Sequence, residues 1–175
     1  MLTGIQLLVK LRGCLRCLRA NKNIRLFVHA LGAEYKLPDQ FAHKLAAHIE
    51  RREEEGKPIR LWPVIVVDKS ITPDEFARAL TSRAAIYAQH GVAEFTRPRF
   101  LKTDSPMGID VLIVDDRIAL LSLTTAFGSK QTQVCIAFEH HATLLAEFID
   151  WFDRVIGARA HTLEEFRASM DQPAS

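Results

Sequence analysis

At 175 residues, with 48% hydrophobic and 25% charged residues, the chain has the size and composition of one α/β-sized globular domain around one core. The longest uncharged stretches fall short of the ~18–20 apolar residues that cross a bilayer, and Lys10, Arg12, Arg16 and Arg19 interrupt the N-terminal apolar residues where a secretory signal needs a clean core. Three cysteines (Cys14, Cys17, Cys135) exclude a full disulfide framework, and the net charge is only +2, so the expectation is a cytoplasmic protein with no transmembrane segment.

In chain order, Gly4, Leu7, Leu8, Leu11, Leu15 and Leu18 recur at helical spacing, so residues 1–21 read as a basic amphipathic helix with Leu8, Leu11 and Leu15 inward and Arg12, Arg16 and Arg19 outward. Six cations, ending with Lys22 and Arg25, precede the first acid, Glu34. Such a block marks either a solvated helix face or a surface for nucleic acid, an anionic membrane or an acidic partner, and its acid-free, Arg-rich start also resembles an organellar transit peptide, although it has no serine. Ile24–Ala30 reads as a buried strand. A helix follows from Pro38 and Asp39, with Phe41, Leu45 and Ile49 inward, and ends near Gly56. Ile59–Asp68 is a strand in which Pro63 implies an edge position or a bulge.

Thr72-Pro73-Asp74-Glu75 is a capping box that starts a helix with Phe76, Leu80 and Tyr87 inward and Gly91 as its terminator. Val92–Arg97 reads as a short strand, and Pro98–Met107 as a loop. Ile109–Val114 and Ile118–Leu123 flank Asp115-Asp116-Arg117, the pattern of a tight hairpin. Thr132–Phe138 is a further strand. Leu144, Leu145, Phe148, Ile149, Phe152 and Ile156 define a helix, and Thr162-x-x-Glu165 caps a short last one. Helices between the early strands imply some parallel pairing, and the hairpin implies antiparallel pairing later. The expected architecture is therefore a single α/β domain over residues 1–175, a mixed β-sheet with helices on both faces.

Residues 82–157 carry a pattern of helix, strand, the hairpin GIDVLIVDDRIALLSLTT, the strand QVCIAF and the helix EFIDWFDRV. This resembles one half-domain of the phospholipase D-like (HKD) superfamily. The active motif there is His-x-Lys-x4-Asp followed by Gly-Ser-x-Asn. With its Asp set on Asp115, the His position falls on Gly108 and the Lys position on Asp110, while the Gly-Ser-x-Asn positions fall on Ser122, Leu123 and Thr125. The resemblance implies attack on phosphorus by the imidazole with the ammonium neutralising the phosphate. Glycine supplies no nucleophile and a carboxylate at 110 repels phosphate, so the motif is degenerate and no catalytic residue is expected. Asp115 reads as a turn former. Active members join two half-domains, so the resemblance also implies a homodimer. Its expected contact is the hairpin with residues 98–108, where Pro98, Phe100, Pro106 and Met107 supply apolar area.

Other combinations of residues compete with that reading. VLIVDD resembles the strand end where response-regulator receivers place paired acids, but too little chain follows it. Cys14-x-x-Cys17 lies within a helical pattern and has no second ligand pair, so it reads as packing. Asp104, Asp110, Asp115 and Asp116 are metal ligands by type, yet two sit in a turn and one in a loop; no metal or other cofactor is expected. His29, Asp68 and His140 end strands, where open α/β sheets build ligand clefts, and are the cleft candidates. Arg97, Arg99 and Lys102 lie near Phe95 and Phe100, so Lys10, Arg12, Arg16, Arg19, Arg97 and Arg99 form the candidate anion-binding set. Three functions follow. The first is a non-catalytic phospholipase D-like binding or regulatory module. The second is a nucleic-acid-directed phosphodiesterase, nuclease or processing factor with a non-standard site. The third is a subunit of a larger assembly that docks through its basic N-terminal helix.

Overall fold

The computed structural model describes residues 15–28, 39–89, 97–104, 108–127 and 130–170. Six strands form one mixed sheet: β1 (Asn23–Val28), β2 (Arg60–Asp68), β3 (Arg99–Thr103), β4 (Gly108–Val114), β5 (Ile118–Phe127) and β6 (Lys130–Glu139). Their order across the sheet is β3-β2-β1-β4-β5-β6. The pairs β1·β2 and β2·β3 are parallel, whereas β1·β4, β4·β5 and β5·β6 are antiparallel. The split follows connection length: the parallel pair β1·β2 is separated by a helical crossover and the antiparallel β4·β5 pair by three residues.

The helices are α1 (Asp39–Glu54), α2 (Pro73–Gln89), α3 (Ala142–Asp150) and α4 (Leu163–Met170). α3 continues as a wider π-helical stretch, Trp151–Ile156, and a last turn, Gly157–Arg159. Strand alternation sends neighbouring side chains to opposite faces. Ile24 packs with Leu45 and Ile49 of α1, and Val28, Ile65 and Val67 with Phe76 of α2 and Phe166 of α4. Phe27, Val64, Val66, Val111 and Ile113 pack instead on Leu145, Phe152 and Ile156. Helices therefore cover both faces. Among the described residues no helix is long and apolar enough to cross a membrane.

Local signals in the sequence translate directly. Thr72 N donates to Glu75 Oε2 at 3.0 Å while Glu75 N donates to Thr72 Oγ1 at 3.3 Å, and Thr162 and Glu165 make the same reciprocal pair at 2.8 and 3.3 Å. At the end of α1, Gly56 adopts φ 67°, with Lys57 N bonded to Arg52 O and Gly56 N to Glu53 O. That is a Schellman turn, and the left-handed φ is what favours glycine there.

Four expectations are corrected. Leu15 is 56% exposed, whereas Cys17 and Ala20 are buried against Ile24 and Ile49. The close contact is made by the small side chains Cys17 and Ala20 at and just after the end of the helix at residue 17, not by Leu15. Arg25, counted in the basic block, is buried at 8% exposure on the α3 side and is not part of a cationic surface. Its guanidinium is held by Asp153 through two 2.8 Å hydrogen bonds and lies 5.8 Å from the Trp62 ring. β2 is an inner strand despite Pro63. Its ladder with β3 begins at Val64, so among the described residues Pro63 has a partner strand on one side only, and the missing N–H is tolerated there. Finally, Pro98–Met107 contains β3, and Phe100 is fully buried between Phe76 and Phe166. Phe100 therefore has no apolar surface to offer a second copy. The strand expected at Val92–Arg97 lies almost wholly outside the described residues, as do Gly91, Pro106 and Met107.

Candidate anion-binding site

The end of the sheet where β1 and β2 begin is also where β4 ends, β5 begins and β6 ends. The β4–β5 connection there is Asp115-Asp116-Arg117, closed by Arg117 N donating to Val114 O at 3.3 Å. Asp115 takes φ 53°, a left-handed conformation that Asp tolerates better than most residues. Its side chain does more than turn the chain. It is 6% exposed, and its carboxylate accepts from Asn21 N at 3.0 Å and from Lys22 N and Asn23 N at 2.9 Å each. Asp115 N also donates to Asn23 O at 2.8 Å. The hairpin turn is thereby fastened to the segment that joins the first helix to β1.

That fastening fixes what lies beside it. Arg16 donates to Glu139 Oε2, the last residue of β6, at 3.0 Å. His140, at φ 56°, donates its backbone N–H to Arg117 O at 3.3 Å and turns the chain into α3. Arg16, Arg19 and Arg117, with Val114, Asp115 and Ile118, line a surface depression of about 180 Å³. Arg19 and Arg117 are exposed, and their guanidinium groups make no hydrogen bond or ion pair among the described residues. Two members of the expected cationic set, Arg16 and Arg19, thus meet a third cation that sequence reasoning assigned to the turn alone. Strand pairing is what brings residue 117 to residue 19, and a linear pattern does not contain it.

The remaining candidates lie elsewhere. Arg97 is exposed ahead of β3, and Arg99 donates to Gly157 O at 3.2 Å and Ala160 O at 3.3 Å, satisfying carbonyls at the end of the helix that follows α3. Lys10, Arg12 and His29 lie outside the described residues. Asp68 ends a strand parallel to β1 and His140 follows one antiparallel to β5, so the two stand at opposite ends of the sheet and do not share a cleft. Asp68 is a local cap: its Oδ1 accepts from Ser70 N at 2.8 Å and Ser70 Oγ at 2.7 Å, which holds its carboxyl below the usual carboxylate range. His141 Nδ1 accepts from Leu144 N at 3.4 Å as the N-cap of α3.

The positions of the degenerate motif separate as well. Gly108 and Asp110 lie near the start of β4, paired with Thr124 and Ser122. At about 3.4 Å per residue, Asp110 is roughly 17 Å along the strand from Asp115. Among the described residues no group of three or more His, Cys, Asp or Glu is placed to hold a metal ion. Asp104, one of the acids considered for such a site, is ion-paired with Lys69. Comparison with protein-family models and with curated proteins found no match for the sequence.

Proposed function

We propose that this chain is a phospholipase D-like half-domain that has lost its catalytic groups and serves as a binding module for an anionic partner. One observation carries the reading: β4 and β5 form an antiparallel hairpin, and the positions that the resemblance assigns to the attacking and phosphate-neutralising groups hold Gly108 and Asp110. In the family that the chain resembles, an imidazole nucleophile and an ammonium at those places carry out phosphodiester cleavage. A glycine and a carboxylate supply neither. The element order, alternating strands and helices and then an antiparallel hairpin run closed by an aromatic helix, is consistent with the same ancestry. The binding role draws on the three guanidinium groups around the β4–β5 turn. Ancestry from paired half-domains also implies a homodimer, and the three cysteines favour a reducing compartment such as the cytoplasm.

Purified protein is expected not to hydrolyse bis-p-nitrophenyl phosphate, with or without Mg²⁺ or Mn²⁺. Turnover that co-purifies with the protein and disappears in Asp110→Asn or His140→Ala would overturn the reading in favour of an enzyme with a non-standard site. For the dimer, light scattering at micromolar concentration is expected to give about twice the 19.8 kDa of one chain. A single-chain mass that does not change with concentration would remove it.

A further inference from the structure

We infer that the depression at the β4–β5 turn is a site for one phosphate group, gripped by Arg19 and Arg117 with Arg16 behind them. The site develops the binding role proposed above but depends on none of its ancestry. It also lies at the other end of the hairpin from Gly108 and Asp110.

Size, charge and commitment of the side chains each narrow the ligand. A volume of about 180 Å³ is below the ~300–1,000 Å³ of ordinary small-molecule pockets, so it takes a group rather than a whole metabolite. Three arginines line it, and the carboxylates nearby are Asp115 in its wall, Asp116 in the same turn and Glu139 on Arg16. The two exposed arginines without a carboxylate partner among the described residues, Arg19 and Arg117, are what suits the depression to an anionic group. Both oxygens of Asp115 are taken up by the N–H groups of Asn21, Lys22 and Asn23, so this carboxylate turns its hydrogen-bonding capacity away from the depression. Glu139 holds one Arg16 nitrogen and so orients that guanidinium, which keeps further N–H donors.

Arg19 and Arg117 are the uncommitted pair. They come from two segments that Asp115 ties together, so their spacing is set by the fold and not by the rotamers alone. Planar N–H forks of this kind suit phosphate oxygens in bidentate contact. Val114 and Ile118 give the floor an apolar wall, where an ion pair is less screened than on an open surface.

The test titrates dimethyl phosphate, and separately thymidylyl-(3′,5′)-thymidine, into the full chain at low salt, reading ¹⁵N–¹H shifts. Saturable shifts confined to residues 16–19 and 114–118 are expected with both ligands. Tighter binding of the dinucleoside would identify a nucleic-acid backbone as the source of the group, and equal binding would identify the group alone. Arg19→Gln/Arg117→Gln should weaken binding by about 10-fold or more. Arg19→Lys/Arg117→Lys should recover part of it, and Arg167→Gln on α4 should bind as the parent does. With an oligonucleotide, the Gln pair should lower the slope of log K against log salt by about 1. Absence of saturable shifts for both ligands, or undiminished affinity in the Gln pair, would overturn the site. Hydrolysis of either ligand would leave the site standing and remove only the non-catalytic reading.

Discussion

Replacing Asp115 tests whether the hairpin turn is a structural fastener or a turn and nothing more. Its carboxylate accepts three backbone N–H groups at 2.9–3.0 Å, and hydrogen bonds to a charged group contribute roughly 1.5–3 kcal/mol each when shielded. Asn21 and Lys22 are exposed, so water replaces much of their loss; Asn23 is half-buried and regains less. Discounted in this way, the bonds sum to about 3 kcal/mol. Alanine at φ 53° adds roughly 1 kcal/mol of left-handed strain. Asp115→Ala should therefore cost about 4 kcal/mol, Asp115→Gly about 3, and Asp115→Asn about 2, because Asn keeps one acceptor oxygen and tolerates the left-handed φ. Urea unfolding with a constant m-value reads these differences as shifts of the midpoint. A cost for Asp115→Ala below about 1 kcal/mol, or the same cost for all three, would show that the N–H cluster contributes nothing to stability.

Three further outcomes follow from the packing. Asp153→Ala strands the guanidinium of Arg25; with Asp153 35% exposed, the ~3–5 kcal/mol of a fully buried pair shrinks to about 2, and Arg25→Met/Asp153→Ala should recover part of it in the same unfolding assay. Phe166→Ala empties a site with no solvent exposure among Phe76, Phe100 and Met170 and should cost about 3–5 kcal/mol, with the amides of Phe100 and His161 losing protection from hydrogen exchange. Glu75 and Glu165 have carboxyls held below the 4.5 of a free Glu, chiefly by the backbone N–H groups of Thr72 and Thr162. Folded pKa values below the unfolded ones stabilise above pH 4.5, and that stabilisation is lost as pH falls through the folded values. The drop in melting temperature from about pH 5 to about pH 3 should thus be smaller in Glu75→Gln/Glu165→Gln than in the parent.

What could be read from the sequence was whatever chemistry is local. Both capping boxes, the Gly56 terminator and the hairpin depend on residues within a few positions of one another, and the mixed sheet follows from connection lengths. What could not be read depends on which strand lies beside which, and in what direction. Asp68 and His140 both follow apolar runs, yet only strand direction tells that they stand at opposite ends. Arg25 sits between Ile24 and Leu26 in a strand, and Asp153 directly follows Trp151 and Phe152 in a helix. Each was a signal of an internal ion pair, but only the packing of α3 on β1 joins them. Arg117 belongs to the site because β4 pairs with β1, whose start lies just beyond Arg19.

The two margins of the sheet are not equivalent. Outside β3, the backbone of Phe100 both donates to and accepts from His161 at 2.8 Å, while beyond β6 no strand is paired among the described residues. The pair of bonds takes up one donor and one acceptor of the outer backbone of β3, so at Phe100 the stretch between α3 and α4 already occupies the place a further strand would need.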